Sequence, residues 1–286
     1  MPGRPRFLVV DGYAREGRED LRAGGATTAG VLYEQMLKRC APAGAMVDIL
    51  YPADPDAALP TGAAIAQYDG IAWTGSSLTI FKDDPRVLPQ IEFAKAAYAA
   101  RVPSFGSCWA AQIAVVAAGG QCAANPKGRE MGLARKIALT PEGRAHPLYL
   151  GKKSVFDGFI SHDDEVTHLP PNGVLLASNR YTYVQAVAVT HEGGSFWGLQ
   201  YHPEYDLHEL ARLCYCRREK LTGLGFFRDT DAAQSFVDQL EALHQDPSRK
   251  DLAWLLGIDE DVMNEDIRLA EVRNWIQQLV IPHMRA

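Results

Sequence analysis

Four short apolar runs alternate with helical segments in the first 118 residues, and this alternation constrains the fold more than any other feature. Residues 7–11, 47–50, 70–73 and 102–105 read as strands. Between the first two, Thr27 or Thr28 caps a helix that runs to about Cys40, with Val31, Leu32, Met36 and Leu37 on its inward face. Residues 91–100 and 109–118 read as further helices, the second stopped by Gly119-Gly120. Strands separated by helices predict a mostly parallel sheet covered on both faces. Ligands in that architecture sit beyond the C-terminal strand ends.

From Arg135 the rhythm changes. Residues 135–139, 154–159, 174–177, 185–190 and 196–200 are short strand candidates joined by Gly, Pro and Asn turns, so the sheet gains antiparallel strands. After Glu204 the chain turns helical. Asp206 caps a helix to Cys216, and Asp229 or Thr230 caps another with Phe236, Val237, Leu240 and Leu243 on its apolar face. A short segment at 252–256 and a last helix at 266–280 follow, with Trp254 and Trp275 read as core or interface residues. The expected division is an α/β unit over 1–206 and a helical extension over 207–286 packed on it. The charged stretch 11–28 reads as a long solvated loop.

Composition narrows the functional classes. Hydrophobic residues at 47% and charged residues at 22% exclude collagen, coiled coil and wholesale disorder. The net charge of −6 and the lack of a basic stripe argue against nucleic acid. Arg217, Arg218 and Lys220 follow an apolar run and read as positive charge at a helix C-terminus. The chain starts without a signal region, and no apolar window reaches 18 residues, which argues against a membrane span. Five cysteines without a disulfide framework point to the cytoplasm, and Cys214 and Cys216 read as helix packing. Asp163-Asp164-Glu165 reads as loop rather than a cation site, so no metal or cofactor is expected.

The chemistry concentrates in two segments. In Ser104-Phe105-Gly106-Ser107-Cys108-Trp109-Ala110-Ala111-Gln112 a strand ends and a helix begins at once, which holds Cys108 clear of the sheet at a helix N-terminus. In Gln200-Tyr201-His202-Pro203-Glu204 another strand ends on His202, and Glu204 follows two residues later, in reach of the second imidazole nitrogen. A nucleophile, a base and an orienting carboxylate follow the logic of a catalytic triad. Spacing alone leaves open whether residues 108 and 202 meet.

These two segments resemble the nucleophile elbow and His-Pro-Glu signature of class I glutamine amidotransferases. Arg129-Glu130-Met131-Gly132 is similar to the family's Glu-x-Gly segment. Ser161-His162-Asp163-Asp164-Glu165-Val166 with Leu169-Pro170 resembles its His-x-Asp-x-Val…Leu-Pro segment. The resemblance covers roughly residues 6–206. It implies a three-layer, flavodoxin-like α/β fold and hydrolysis of the glutamine side-chain amide through a γ-glutamyl thioester. Cys108 would be the nucleophile, His202 the proton shuttle and Glu204 its orienter. The oxyanion hole would use Trp109 with Gly75 or Ser76, and Gln112, Ser161 and His162 would line the substrate pocket. Two departures stand out: Ala110 replaces a glycine, and Thr74-Gly75-Ser76-Ser77 replaces Gly-Gly-Pro, which implies either a less preformed oxyanion hole or an altered specificity. The substrate is then glutamine or a related γ-glutamyl molecule. With no synthetase region in the chain, ammonia would pass to an acceptor or synthetase subunit. The alternatives are a γ-glutamyl or other small-amide hydrolase without an acceptor, and a non-catalytic regulatory or binding relative. A homodimer is compatible with the sequence.

Overall fold

The run at Arg6–Val10 forms strand β1, and its alternate side chains enter opposite cores. Phe7 and Val9 join one buried cluster, and Leu8 and Val10 the other. Both faces of β1 are therefore covered, as the alternating pattern predicted. The computed structural model describes residues 4–284. In chain order, β1 is followed by α1 (Arg15–Ala23), α2 (Ala29–Cys40), β2 (Met46–Leu50), β3 (Gly70–Trp73), α3 (Leu88–Ala99), β4 (Ser104–Ser107) and α4 (Trp109–Ala117). Then come β5 (Gln121–Ala124), β6 (Glu130–Leu139), α5 (Pro141–Ala145), β7 (Val155–His162), β8 (Asp164–His168), β9 (Gly173–Ser178), β10 (Ala186–His191) and β11 (Gly194–Leu199).

Nine strands make one sheet in the order β2-β1-β3-β4-β11-β10-β9-β6-β7. The pairings from β2 through β11 are parallel, and those from β11 to β7 are antiparallel. The mixed, centrally parallel sheet is thus the observed one. β5 and β8 form a separate antiparallel pair; the sequence reading took Asp163-Asp164-Glu165, where β8 begins, for loop and assigned nothing to β5. α2 packs on one face; α3 and α4 pack on the other.

The helical extension begins with α6 (Leu207–Cys216), α7 (Arg218–Gly223), α8 (Thr230–Gln245) and α9 (Lys250–Leu256). Its caps are those expected. Asp206 accepts the Glu209 N–H at 2.9 Å, and Asp229 accepts that of Ala232 at 2.8 Å. The single helix expected over 266–280 is instead Glu265–Arg268, Ala270–Trp275 and a π-helical turn at Ile276–Val280. Trp275 is fully buried against Phe7 and Phe105, with ring centroids 5.7 and 5.5 Å away. A tryptophan in such a site contributes about 3 kcal/mol or more, and it pins the C-terminal helices to the sheet. Trp254, by contrast, is 89% exposed and belongs to no core.

The charged stretch 11–28 is not a solvated loop. It carries α1, because Arg18 turns inward to bond the Tyr13 carbonyl at 2.6 Å and both Asp54 oxygens at 2.8 Å. A guanidinium whose Nη2 is held by a carboxylate and whose Nη1 is held by a carbonyl can be buried where a lone charge could not. Among the described residues no helix is long and apolar enough to cross a membrane.

Candidate active site

Register brings the two predicted segments together. β4 and β11 are parallel neighbours with Ser107 opposite Leu199, so both chains leave the sheet at the same edge. Cys108 takes φ 55 and ψ −102, a conformation an L-residue adopts only when its surroundings impose it. Its N–H bonds the Leu199 carbonyl at 2.7 Å. Gly106 makes the turn feasible, since a Cβ there would fall 2.1 Å from the Trp73 carbonyl oxygen. Ala110 lies 2.5 Å from the same point, so the alanine in place of the family glycine is accommodated only because Gly106 has no side chain.

His202 is held by its backbone N–H to the Phe159 carbonyl at 2.7 Å. Its Nδ1 lies 2.6 Å from Glu204 Oε1, and each side chain is only 2% exposed. Nε2 is buried with no hydrogen-bond partner among the described residues. Burial lowers the His202 pKa, but the Glu204 charge and the adjacent Cys108 side chain outweigh it and raise it to about 9. A Cβ on Gly75 would stand 3.2 Å from His202 Cε1 and 3.8 Å from Cys108 Cβ, so the three residues converge. Tyr205 stacks on the imidazole at 4.1 Å with planes 2° apart.

The loop after β3 is tied down without the family's proline. Thr74 Oγ1 accepts the Gly12 N–H at 3.0 Å, while Ser76 Oγ donates to the Gly12 carbonyl at 2.8 Å and accepts from Leu78 at 3.0 Å. These bonds offset the loss of stiffness expected from the sequence. Trp109 opens α4, where its N–H has no intrahelical acceptor.

A cavity of about 130 Å³ borders Cys108, Ser76, Trp109, Gln112, Ser161 and His162. Gln112 is buried and donates to the Asp164 carbonyl at 3.3 Å. The Ser161 carbonyl lies 3.7 Å from Cys108 Sγ. His162 reaches the cavity but offers it no free nitrogen: Nδ1 faces the Asp164 carbonyl at 2.7 Å and Nε2 faces Glu130 Oε2 at 3.1 Å. Burial pushes the Glu130 carboxyl up, yet hydrogen bonds with His162, Asn179 and Thr182 hold it below its ordinary value. Glu130 thereby organises the wall behind the pocket.

Sequence reasoning missed the cations of this cavity. Arg129 and Arg217 each donate to Ser161 Oγ at 2.7 Å, and Arg129 and Lys220 pair with Asp163 at 2.6 and 3.2 Å. Arg217 and Lys220 come from the helical extension. Arg217 sits between α6 and α7, and its side chain turns into the cavity rather than serving only as helix-terminal charge. The only available signal was a cluster of cations at a helix end, which says nothing of where that end points.

The sheet order, the strained elbow cysteine and the neighbouring imidazole–carboxylate pair define an amidotransferase-type catalytic domain. The family model for class I glutamine amidotransferases matches residues 41–213, and the chain belongs to that family. It is 34% identical over 284 residues to the γ-glutamyl-L-1-hydroxyisopropylamide hydrolase of a Pseudomonas species, covering 97% of this chain and 94% of that protein. It is also 30% identical over 142 residues to the glutamine-hydrolysing GMP synthase of Baumannia cicadellinicola subsp. Homalodisca coagulata, 48% of this chain but 25% of that one. Among solved structures, a glutamine amidotransferase from Thermotoga maritima shares the fold, with a TM-score of 0.66 at 12% identity over 97% of this chain and 99% of that one.

Proposed function

We propose that this chain hydrolyses γ-glutamyl amides, glutamine among them, through a thioester on Cys108. The observation that carries the reading is the buried, unpartnered Nε2 of His202 beside Cys108, with Nδ1 held by Glu204 at 2.6 Å. Cys108 Sγ attacks the γ-carbonyl carbon. His202 gives its proton to the departing nitrogen, then takes one from the water that cleaves the thioester. Glu204 keeps the imidazole in the orientation that both transfers need. The N–H groups of Trp109 and of Gly75 or Ser76 are the donors for the developing oxyanion, and such preorganised donors act without reorganisation. Gln112 and Ser161 belong to the substrate pocket. Residues 1–206 form the catalytic unit and 207–286 the extension that supplies Arg217 and Lys220.

The likeness to the Pseudomonas hydrolase runs along nearly the whole of both chains and supports action without an acceptor. A second reading, a glutaminase that delivers ammonia to a synthetase subunit, draws on the likeness to GMP synthases, which covers about a quarter of the GMP synthase described above. The test is to incubate the purified chain with glutamine and with γ-glutamyl alkylamides and to measure glutamate and free amine. Turnover by the chain alone supports the hydrolase. Glutamine turnover that appears only on adding a co-purifying protein supports the second reading.

A further inference from the structure

A second cavity, of about 490 Å³, adjoins the one at Cys108, and the two share Ser77 and Arg217 in their walls. Its size is that of sites that take small organic molecules. Two segments outside the strands and the elbow build it: α1 contributes Gly17, Asp20, Leu21 and Ala23, and the start of the extension contributes Tyr215 and Arg218. Tyr13, also in the wall, orients it. Tyr13 belongs to the same buried cluster as Tyr205, which is the ring stacked on His202. Through Tyr13 and Tyr205, which also line one narrow cleft together, the wall of the second cavity connects to His202. Gln112, Asp164 and Lys220 line the first cavity and not the second.

A γ-glutamyl amide has two unlike ends. Its glutamyl head is a zwitterion, which suits the first cavity with Arg129 and Lys220 set against Asp163 and Asp164. Its other end is the nitrogen that His202 must protonate. The geometry points to the 490 Å³ cavity as the subsite for the leaving amine, and to a substrate whose amine carries an alkyl or aryl body rather than to glutamine. This rests on the γ-glutamyl hydrolase reading. As the Sγ–C bond forms, the C–N bond breaks with its electron pair to nitrogen, which takes the His202 proton and departs as free amine into this cavity. Water then splits the thioester to a γ-carboxylate and restores the thiol. Tyr13, Leu21 and Tyr215 offer apolar faces to the carbon body of the amine, and Ser77 and Asp20 offer polar groups. Ammonia fills none of this volume and gains nothing from it.

The experiment compares kcat/KM for glutamine, γ-glutamyl isopropylamide and γ-glutamyl anilide, in the wild type and in two variants that crowd the cavity from exposed positions of α1, Ala23→Trp and Asp20→Trp. The wild type is expected to favour the larger amides over glutamine by roughly tenfold, and each variant to lower the anilide-to-glutamine ratio by roughly tenfold. Labelling of Cys108 by a glutamine-like electrophile reports that each variant is folded. A ratio unmoved in both variants, or a wild type that prefers glutamine, overturns the inference and leaves the proposed function standing. No turnover of any γ-glutamyl compound, glutamine included, is the failure of the proposed function and takes this inference with it.

Discussion

The Ser107 hydroxyl donates to Glu204 Oε1 at 2.8 Å and accepts from the Tyr33 hydroxyl at 2.7 Å. The residue beside Cys108 therefore helps to hold the carboxylate that holds the His202 imidazole. Ser107→Ala removes one charge-assisted bond, about 1.5 kcal/mol, and leaves the His202 contact as the hold on Glu204 Oε1. We expect kcat to fall roughly tenfold with little change in KM, read by steady-state kinetics. An unchanged kcat would mean that Glu204 needs no second hold.

Substitutions within the proposed triad should rank by role. Cys108→Ser abolishes thioester formation, His202→Ala removes the proton carrier, and Glu204→Ala only loosens the carrier. Losses of roughly 10⁴-fold or more are expected for the first two and fewer for the third. Amine release on a single γ-glutamyl substrate measures all three. Equal losses at Glu204 and Cys108 would give the carboxylate a more direct part in the chemistry.

The pH profile follows from the His202 pKa near 9, raised from the ordinary 6.5. In the proposed mechanism the imidazole gives this proton to the leaving amine and holds it until pH passes about 9, so kcat/KM should fall above that pH. Glu204→Gln removes the carboxylate charge, and the same limb should then move to lower pH. A basic limb that stays in place in Glu204→Gln would break the link between this pair and the profile.

Cysteine reactivity should single out one residue. Burial pushes the Cys40 thiol up to about 11 and those of Cys122 and Cys214 to about 12, and it raises that of Cys216 as well. Thiols that hold their protons are slow nucleophiles. Brief exposure to a glutamine-like electrophile should leave one adduct, on Cys108, by mass spectrometry. Labelling spread over several cysteines would count against an activated elbow.

A buried ion pair fastens the last helices to the sheet. Lys152 Nζ lies 2.9 Å from Glu271 Oε2, and Tyr201, next to His202, donates to the other oxygen at 2.6 Å. Glu271→Ala strands the buried ammonium and should cost about 3 kcal/mol, seen as an earlier midpoint in urea unfolding. A midpoint within error of the wild type would mean that water reaches Lys152.

The elements that the sequence determined are those written in local patterns. The βα alternation, the caps at Asp206 and Asp229, the sharp turn at Cys108 and the His202–Glu204 spacing depend on neighbours a few residues away, and each was legible from that range. Tertiary structure decided the rest. β4 and β11 lie about ninety residues apart, and only their parallel pairing sets Cys108 beside His202. Arg18 looked like one more solvent charge until Asp54 met it, and that pairing turned an expected loop into α1. Arg217 looked like a helix-end charge until the packing of the extension aimed it at Ser161. A charge or an apolar residue reveals its own preference for water, but its partner comes from a distant segment, and the sheet order that delivers the partner is a property of the whole packed chain.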